Sequence, residues 1–110
     1  MRHVSQRPIT EPVFLILTSL ATQPRHGYAL MQDIREMSND RVVLSTGTLY
    51  GAIRRLLEDG LIQRFQQKDT SRDKQAYKLT LEGRRLLQLE IERMKQLARA
   101  ASARLKESWG

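Results

Sequence analysis

The sequence predicts a mostly helical α+β fold in the order helix, helix, helix, strand, strand, helix, and three observations carry that prediction. Apolar residues recur at helical spacing in four separate segments, and two short β-like segments follow the third of these. Gly60 and the polar run QKDTSRDK then stand where a helix should stop and a hairpin should turn. At 110 residues the chain has room for one hydrophobic core and no separate catalytic domain.

Residues Met1 to Ile9 have no periodicity and contain Pro8, so they read as a mobile N-terminal arm. Thr10 is a good N-cap for the first helix, with Glu11 and Pro12 in a first turn that favours a carboxylate and tolerates a missing N–H. From Val13 to Ala21 this helix is apolar on nearly every side, so it needs cover on more than one face. Pro24 breaks the pattern, and a second helix is expected at about His26 to Ser38. Its apolar stripe is Leu30, Ile34 and Met37, with Gln32, Asp33, Arg35 and Glu36 turned outward. Ser38, Asn39 and Asp40 form a turn, and Val42 to Leu44 suit a very short strand. The third helix starts at Ser45 and ends before Gly60, a residue suited to a left-handed C-cap. Leu61 to Gln66 and Gln75 to Leu79 are the expected strands, and Thr80 caps a long last helix running to about Lys106. The expected division is an arm (1–9), a helical and hairpin domain (10–79) and a C-terminal helix (80–110).

Composition narrows the function. Hydrophobic residues are 40% and charged residues 28%, ordinary values for a soluble globular chain. The longest apolar run, Val13 to Leu17, is far too short to cross a bilayer, and the N-terminus lacks a signal-peptide pattern, so a cytoplasmic location is expected. Cysteine is absent, and His3 and His26 are too far apart to share a helical metal site, so neither metal nor cofactor is expected. No phosphate-binding glycine loop, paired carboxylates or nucleophile beside a base is present, which argues against an enzyme. Lysine plus arginine number 19 against 12 acids, a net charge of +7. That excess favours a polyanionic partner, although a solvated basic surface would give the same count.

The third helix separates into two faces. Leu49, Ala52, Ile53, Leu56 and Leu57 line one side as core, while Thr46, Gly47, Tyr50, Gly51 and Arg54 occupy the other. Two glycines in a helix cost roughly 1 kcal/mol each relative to alanine, which is understandable if a bulky partner must approach the backbone. A DNA backbone is such a partner: the helix start offers free N–H groups, and Ser45, Thr46, Thr48 and Tyr50 add hydroxyl donors. Arg54 is placed to read a guanine edge and Arg55 to meet phosphate. Caps and ordinary surface residues are the plainer reading of the same positions. Three helices followed by a hairpin describe a winged helix-turn-helix. The helix at 45–59 would enter the major groove, and the basic wing at 66–75, with Lys68, Arg72 and Lys74, would lie beside the flanking minor groove. Asp69 and Asp73 dilute that wing's charge, so a plain solvated turn stays open as well.

The combined motifs resemble the PadR family of transcriptional regulators. They are His26-Gly27-Tyr28, then Leu44-Ser45-Thr46-Gly47-Thr48-Leu49-Tyr50, then Ile53 to Ile62, and finally Tyr77-Lys78-Leu79-Thr80-Leu81-Glu82-Gly83. The resemblance runs from about Val13 to Leu86. It implies a dimeric winged helix-turn-helix regulator, usually a repressor, of the short subfamily with a single helix after the wing. It also implies that His26, Gly27 and Tyr28 meet the DNA backbone, with Tyr28 as a phosphate donor; without it, Tyr28 could equally be a partly buried core aromatic. Thr46 stands where relatives often have proline, and Gln75 and Ala76 interrupt what is often a denser basic run.

Leu87, Ile91, Met94, Ala98, Ala101 and Leu105 repeat at steps of four and three along the last helix, a heptad-like seam. It suits a homodimer on a pseudo-palindromic double-stranded DNA operator, or packing on the chain's own first helix. Short-subfamily relatives can hold flat hydrophobic effectors between subunits, sometimes against a tryptophan. Here Trp109 lies beyond the seam and reads as a loosely packed terminal aromatic. The competing class is a winged-helix module for protein or RNA. An RNA reader would display stacking aromatics, and aromatics are 5% of this chain.

Overall fold

A computed structural model describes residues 9–66 and 75–109. Most of the N-terminal arm and the hairpin tip carrying Lys68, Arg72 and Lys74 lie outside the described residues. The elements are α1 (Glu11–Ser19), β1 (Arg25–His26), α2 (Gly27–Met37), α3 (Thr46–Glu58), β2 (Ile62–Phe65), β3 (Ala76–Leu79) and α4 (Leu81–Trp109). The result is the expected mostly helical α+β fold, with one strand in an unexpected place.

Several helix boundaries have a local cause. Thr10 Oγ1 accepts from the Val13 N–H at 3.3 Å and caps α1, and Thr80 Oγ1 accepts from the Gly83 N–H at 3.0 Å to start α4. The end of α2 is a Schellman turn in which Asn39 takes φ 54. There the Asp40 N–H reaches the Arg35 carbonyl at 2.8 Å and the Asn39 N–H reaches Glu36 at 3.2 Å. Gly60, at φ 74, closes α3 in the same way, with the Leu61 N–H on the Leu56 carbonyl at 3.0 Å. Only the second of these used glycine, so only it was plain from residue type.

The strand expected at Val42 to Leu44 is absent. The Val42 N–H donates to Ser38 Oγ at 3.0 Å instead of a ladder, and Val43 is exposed. Arg25 and His26 supply the extra strand, pairing with Tyr77 and Ala76. The antiparallel sheet therefore has the order β1-β3-β2, and the edge of β3 that a hairpin alone would leave open is covered.

The core is built from Ile16, Leu17 and Leu20 of the first helical segment, Leu30 and Ile34 of α2, Leu49, Ile53 and Leu56 of α3, and Ile62, Tyr77 and Leu79 of the sheet. Leu87 closes it from α4. Ile9, assigned to the arm from sequence, is partly buried against this cluster, as are Ala52 and Leu57 at the margins of α3. Asp33, expected to face solvent, turns inward: it accepts from Ser19 Oγ at 2.6 Å and lies 3.6 Å from the Arg25 guanidinium. Arg25 also donates to the Ser19 carbonyl at 2.8 Å. This clamp ties the end of α1 to β1 and α2, and no local pattern announces it because its partners are distant in sequence.

At 29 residues α4 is about 43 Å long at 1.5 Å per residue, and the core uses only its beginning. Leu87 and Ile91, expected in an intermolecular seam, pack against the chain's own core, and Leu87 keeps only 7% of its surface exposed. Glu90 is also buried, paired with Arg93. From residue 92 onward nearly every position is exposed.

Candidate nucleic-acid interface

Two helices and a sheet edge form one surface around the start of α3. Ser45 is the N-cap: its Oγ accepts from the Thr48 N–H at 3.1 Å and donates to Thr48 Oγ1 at 3.0 Å. Ser45 is thereby committed to shaping the helix rather than to an outside acceptor, while the Thr48 hydroxyl, accepting from Ser45, keeps its own proton to donate. Thr46, Gly47 and Thr48 are exposed on the first turn, and Arg54 and Arg55 are exposed further along. Among the described residues neither arginine is held in an ion pair, whereas Arg25, Arg35, Arg85 and Arg93 are.

The glycines divide by function. A Cβ added at Gly47 or Gly51 would meet nothing within 4 Å, so no internal contact calls for glycine at either position. At Gly83 an added Cβ would lie 2.1 Å from the Leu61 carbonyl oxygen, and at Gly27 it would lie 2.1 Å from the Tyr50 hydroxyl. Those two serve close packing inside the chain.

The contact at Gly27 alters the reading of Tyr50. Its position on α3 suggests an outward side chain, but the ring leans back onto the start of α2 in the space that a glycine leaves, and it remains 40% exposed. Tyr77, on β3, is nearby. Burial pushes the Tyr77 hydroxyl above its ordinary value of 10.0, the adjacent Tyr50 pushes the same way, and Arg64 opposes them.

Tyr28 is 69% exposed, which removes the core alternative. Its hydroxyl accepts from Gln32 Nε2 at 3.0 Å, leaving its own proton for an outside acceptor. His26 is the N-cap residue of α2 but makes no side-chain cap bond, and its buried Nδ1 has no hydrogen-bond partner among the described residues. On the sheet, Lys78 Nζ lies 5.5 Å from the centre of the Phe65 ring, within cation–π range. The contact of Tyr50 with Gly27 thus sets the start of α2 beside the outer face of α3, while the wing cations fall outside the described residues. Sequence reasoning missed the contact of Tyr50 with Gly27, which depends on how α3 packs on α2. The glycine in the first turn of α2 was the available sign of a close neighbour.

Comparison with known proteins decides the family. The profile of the transcriptional regulator PadR-like family matches residues 16–89. This chain belongs to the PadR-like family. The family is one of transcriptional regulators. A PadR family transcription regulator from Clostridium difficile R20291 is similar in fold, with a TM-score of 0.76 at 23% identity, over 87% of this chain and 99% of that one. One from Eggerthella lenta DSM 2243 is 29% identical, with a TM-score of 0.65, over 86% of this chain and 80% of that one. An uncharacterised 37.1 kDa protein of transposon TN4556 from Streptomyces fradiae is 38% identical over 84 residues, 76% of this chain. The chain spans only 23% of that relative's length. Among the described residues no helix is long and apolar enough to cross a membrane.

Proposed function

We propose that this PadR-like regulator is a cytoplasmic homodimeric repressor that binds a pseudo-palindromic double-stranded DNA operator. In each subunit α3 lies in the major groove and the wing at 66–75 lies along the flanking minor groove. The observation that carries the reading is the outer face of α3, where no other described residue fills the space over Gly47 and Gly51. Small residues, hydroxyls and the guanidinium of Arg54, in no ion pair among the described residues, suit close approach to phosphates and base edges. Tyr28 and the start of α2 supply backbone contacts, and Arg55 reaches a neighbouring phosphate.

The dimer rests on the part of α4 beyond the core. Met94, Ala98, Ala101 and Leu105 continue the apolar stripe of Leu87 and Ile91 into solvent, joined by Leu97. A second copy would cover that stripe, while the part-buried Val13, Phe14 and Leu15 of α1 offer further apolar surface. A hydrophobic small-molecule effector is a further partner that the family reading allows, and Trp109, 84% exposed near the end of α4, is not assigned to it.

The test is a titration of duplex DNA at rising salt. Each phosphate neutralised releases counterions, so affinity should fall steeply along a straight line in logarithmic coordinates. Duplex affinity indifferent to salt would remove the phosphate-contact reading, and preference for a protein or RNA ligand would favour the interaction module instead.

A further inference from the structure

We propose that the C-terminal end of α1 is a joint, held by Arg25, Asp33 and Arg84, that sets the angle between the reading helices and α4 and so selects the spacing of the two half-sites. The proposal rests on the dimeric DNA-binding reading above and adds residues that lie outside α3, the wing and the exposed half of α4.

Three other elements are fastened to α1 at this point. Ser19, the last residue of α1, is 2% exposed and donates its hydroxyl proton to Asp33 Oδ2 of α2 at 2.6 Å. The Ser19 carbonyl accepts from Arg25 Nε of β1 at 2.8 Å, and Arg25 Nη2 lies 3.6 Å from the same carboxylate oxygen. Just past the helix, the Ala21 carbonyl accepts from Arg84 Nη2 of α4 at 3.3 Å. The last turn of α1 has no basic residue of its own, so the cations that suit the negative end of its dipole come from elsewhere in the fold.

Each arm of the joint leads to a different part of the regulator. Asp33 lies on α2, which packs against α3. Arg25 is paired with Tyr77 across the ladder and so leads into β3, at the root of the wing. Arg84 lies near the start of α4, whose far half carries the exposed apolar stripe.

The ion pair is largely shielded, with 19% of the Arg25 side chain and 28% of the Asp33 side chain exposed. Such pairs add little net stability compared with well-packed apolar residues, and their best-attested use is to fix geometry. Geometry matters here because α4 is a lever. Between Arg84 and Leu105 it extends about 31 Å, so a tilt of about 10° at its base carries Leu105 roughly 5 Å sideways. One base step along DNA advances about 3.4 Å. Slack of that size at the joint would blur the half-site spacing by more than one base pair.

The experiment compares the full chain with Asp33→Asn and Arg84→Met. The probes are duplexes built from the motif that the parent enriches from a random pool: a single half-site, and inverted repeats whose centres are stepped one base pair at a time around a separation of about 10 base pairs. Asp33→Asn keeps an acceptor for Ser19 but withdraws the charge that faces Arg25, and Arg84→Met removes the donor to Ala21 at an exposed position. The parent should prefer one spacing. Each variant should lose about tenfold at that spacing while binding the single half-site within about twofold of the parent, which flattens the profile across spacings. Both variants change the net charge by one, in opposite directions, so a purely electrostatic effect would tighten every duplex for Asp33→Asn and weaken every duplex for Arg84→Met.

Spacing profiles as sharp as the parent's would overturn the joint and leave the dimeric DNA-binding reading intact. A parent that enriches no motif, or binds all spacings alike, would overturn both. Equal losses on the single half-site and on the repeats would show that these residues only support the fold, and would also overturn the joint. Arg84→Met, at an exposed position, decides the matter even where Asp33→Asn lowers the thermal midpoint.

Discussion

The outer face of α3 and the far half of α4 are both left uncovered by the chain's own fold, and they are uncovered in opposite chemical ways. On α3 the exposed positions are small or hydrogen-bonding: Thr46, Gly47, Thr48, part of Tyr50, and Arg54. On α4 they include an apolar stripe through Met94, Leu97 and Leu105, exposed at 41%, 52% and 61%. Backbone laid open by glycine is suited to a polar partner that comes very close. Apolar surface left in water forfeits about 25 cal/mol per Å² and is suited to a protein partner. The comparison separates two surfaces that net charge alone would blur, since between Glu92 and Glu107 α4 is itself basic, with Arg93, Lys95, Arg99, Arg104 and Lys106.

The largest expected effect comes from breaking the α4 side. If α4 carries the proposed dimer, Met94→Glu with Leu105→Glu should give a folded monomer in analytical ultracentrifugation where the parent is a dimer, because neither side chain belongs to the single-chain core. Operator affinity should then drop on the order of a hundredfold or more as the two half-sites lose their linkage. A double variant that stays dimeric would move the interface elsewhere.

Within α3, Arg54→Ala should cost about 1 to 3 kcal/mol at one base pair and little on random duplex, measured by competition between sequences. Equal losses on both would make Arg54 a phosphate contact. Lys74→Ala, in the wing, should instead weaken all duplexes alike.

The glycines allow a sharper separation. Gly47→Ala and Gly51→Ala should each raise folding stability by up to about 1 kcal/mol in denaturant melts, since a methyl there meets nothing and alanine is the better helix former. The same substitutions should lower DNA affinity. Higher stability with unchanged binding would mean that no partner approaches that backbone.

The smallest effect is one of pH. Folding raises the Tyr77 pKa above 10.0, so the folded state favours the protonated phenol. The stability this contributes is fully present below the ordinary tyrosine value and is lost as pH rises through the folded one. Stability of the parent should therefore fall more steeply than that of Tyr77→Phe above about pH 10, and parallel curves would show that burial leaves the phenol unaffected.

Much of this architecture was legible in the residues. Thr10, Ser45, Gly60 and Thr80 mark helix boundaries through capping chemistry that depends only on neighbours a few positions away. What was not legible depends on contacts distant in sequence. Arg25 and His26 become a strand because β3 offers an edge, Asp33 turns inward because Ser19 and Arg25 reach it, and Tyr50 leans back because Gly27 makes room. The heptad pattern of α4 also could not say where intramolecular packing ends. Leu87 and Ile91 carry the same periodicity as Met94 and Leu105, and only the limit of the core, near the buried Glu90, divides them.

Selection of bound sequences from a random duplex pool, with the parent and Arg54→Ala side by side, tests most directly whether α3 reads DNA. The account predicts an inverted repeat whose half-sites are centred about 10 base pairs, one helical turn, apart, with information lost at one base pair per half-site in the variant. No enriched motif, or the same motif undiminished in Arg54→Ala, would contradict it.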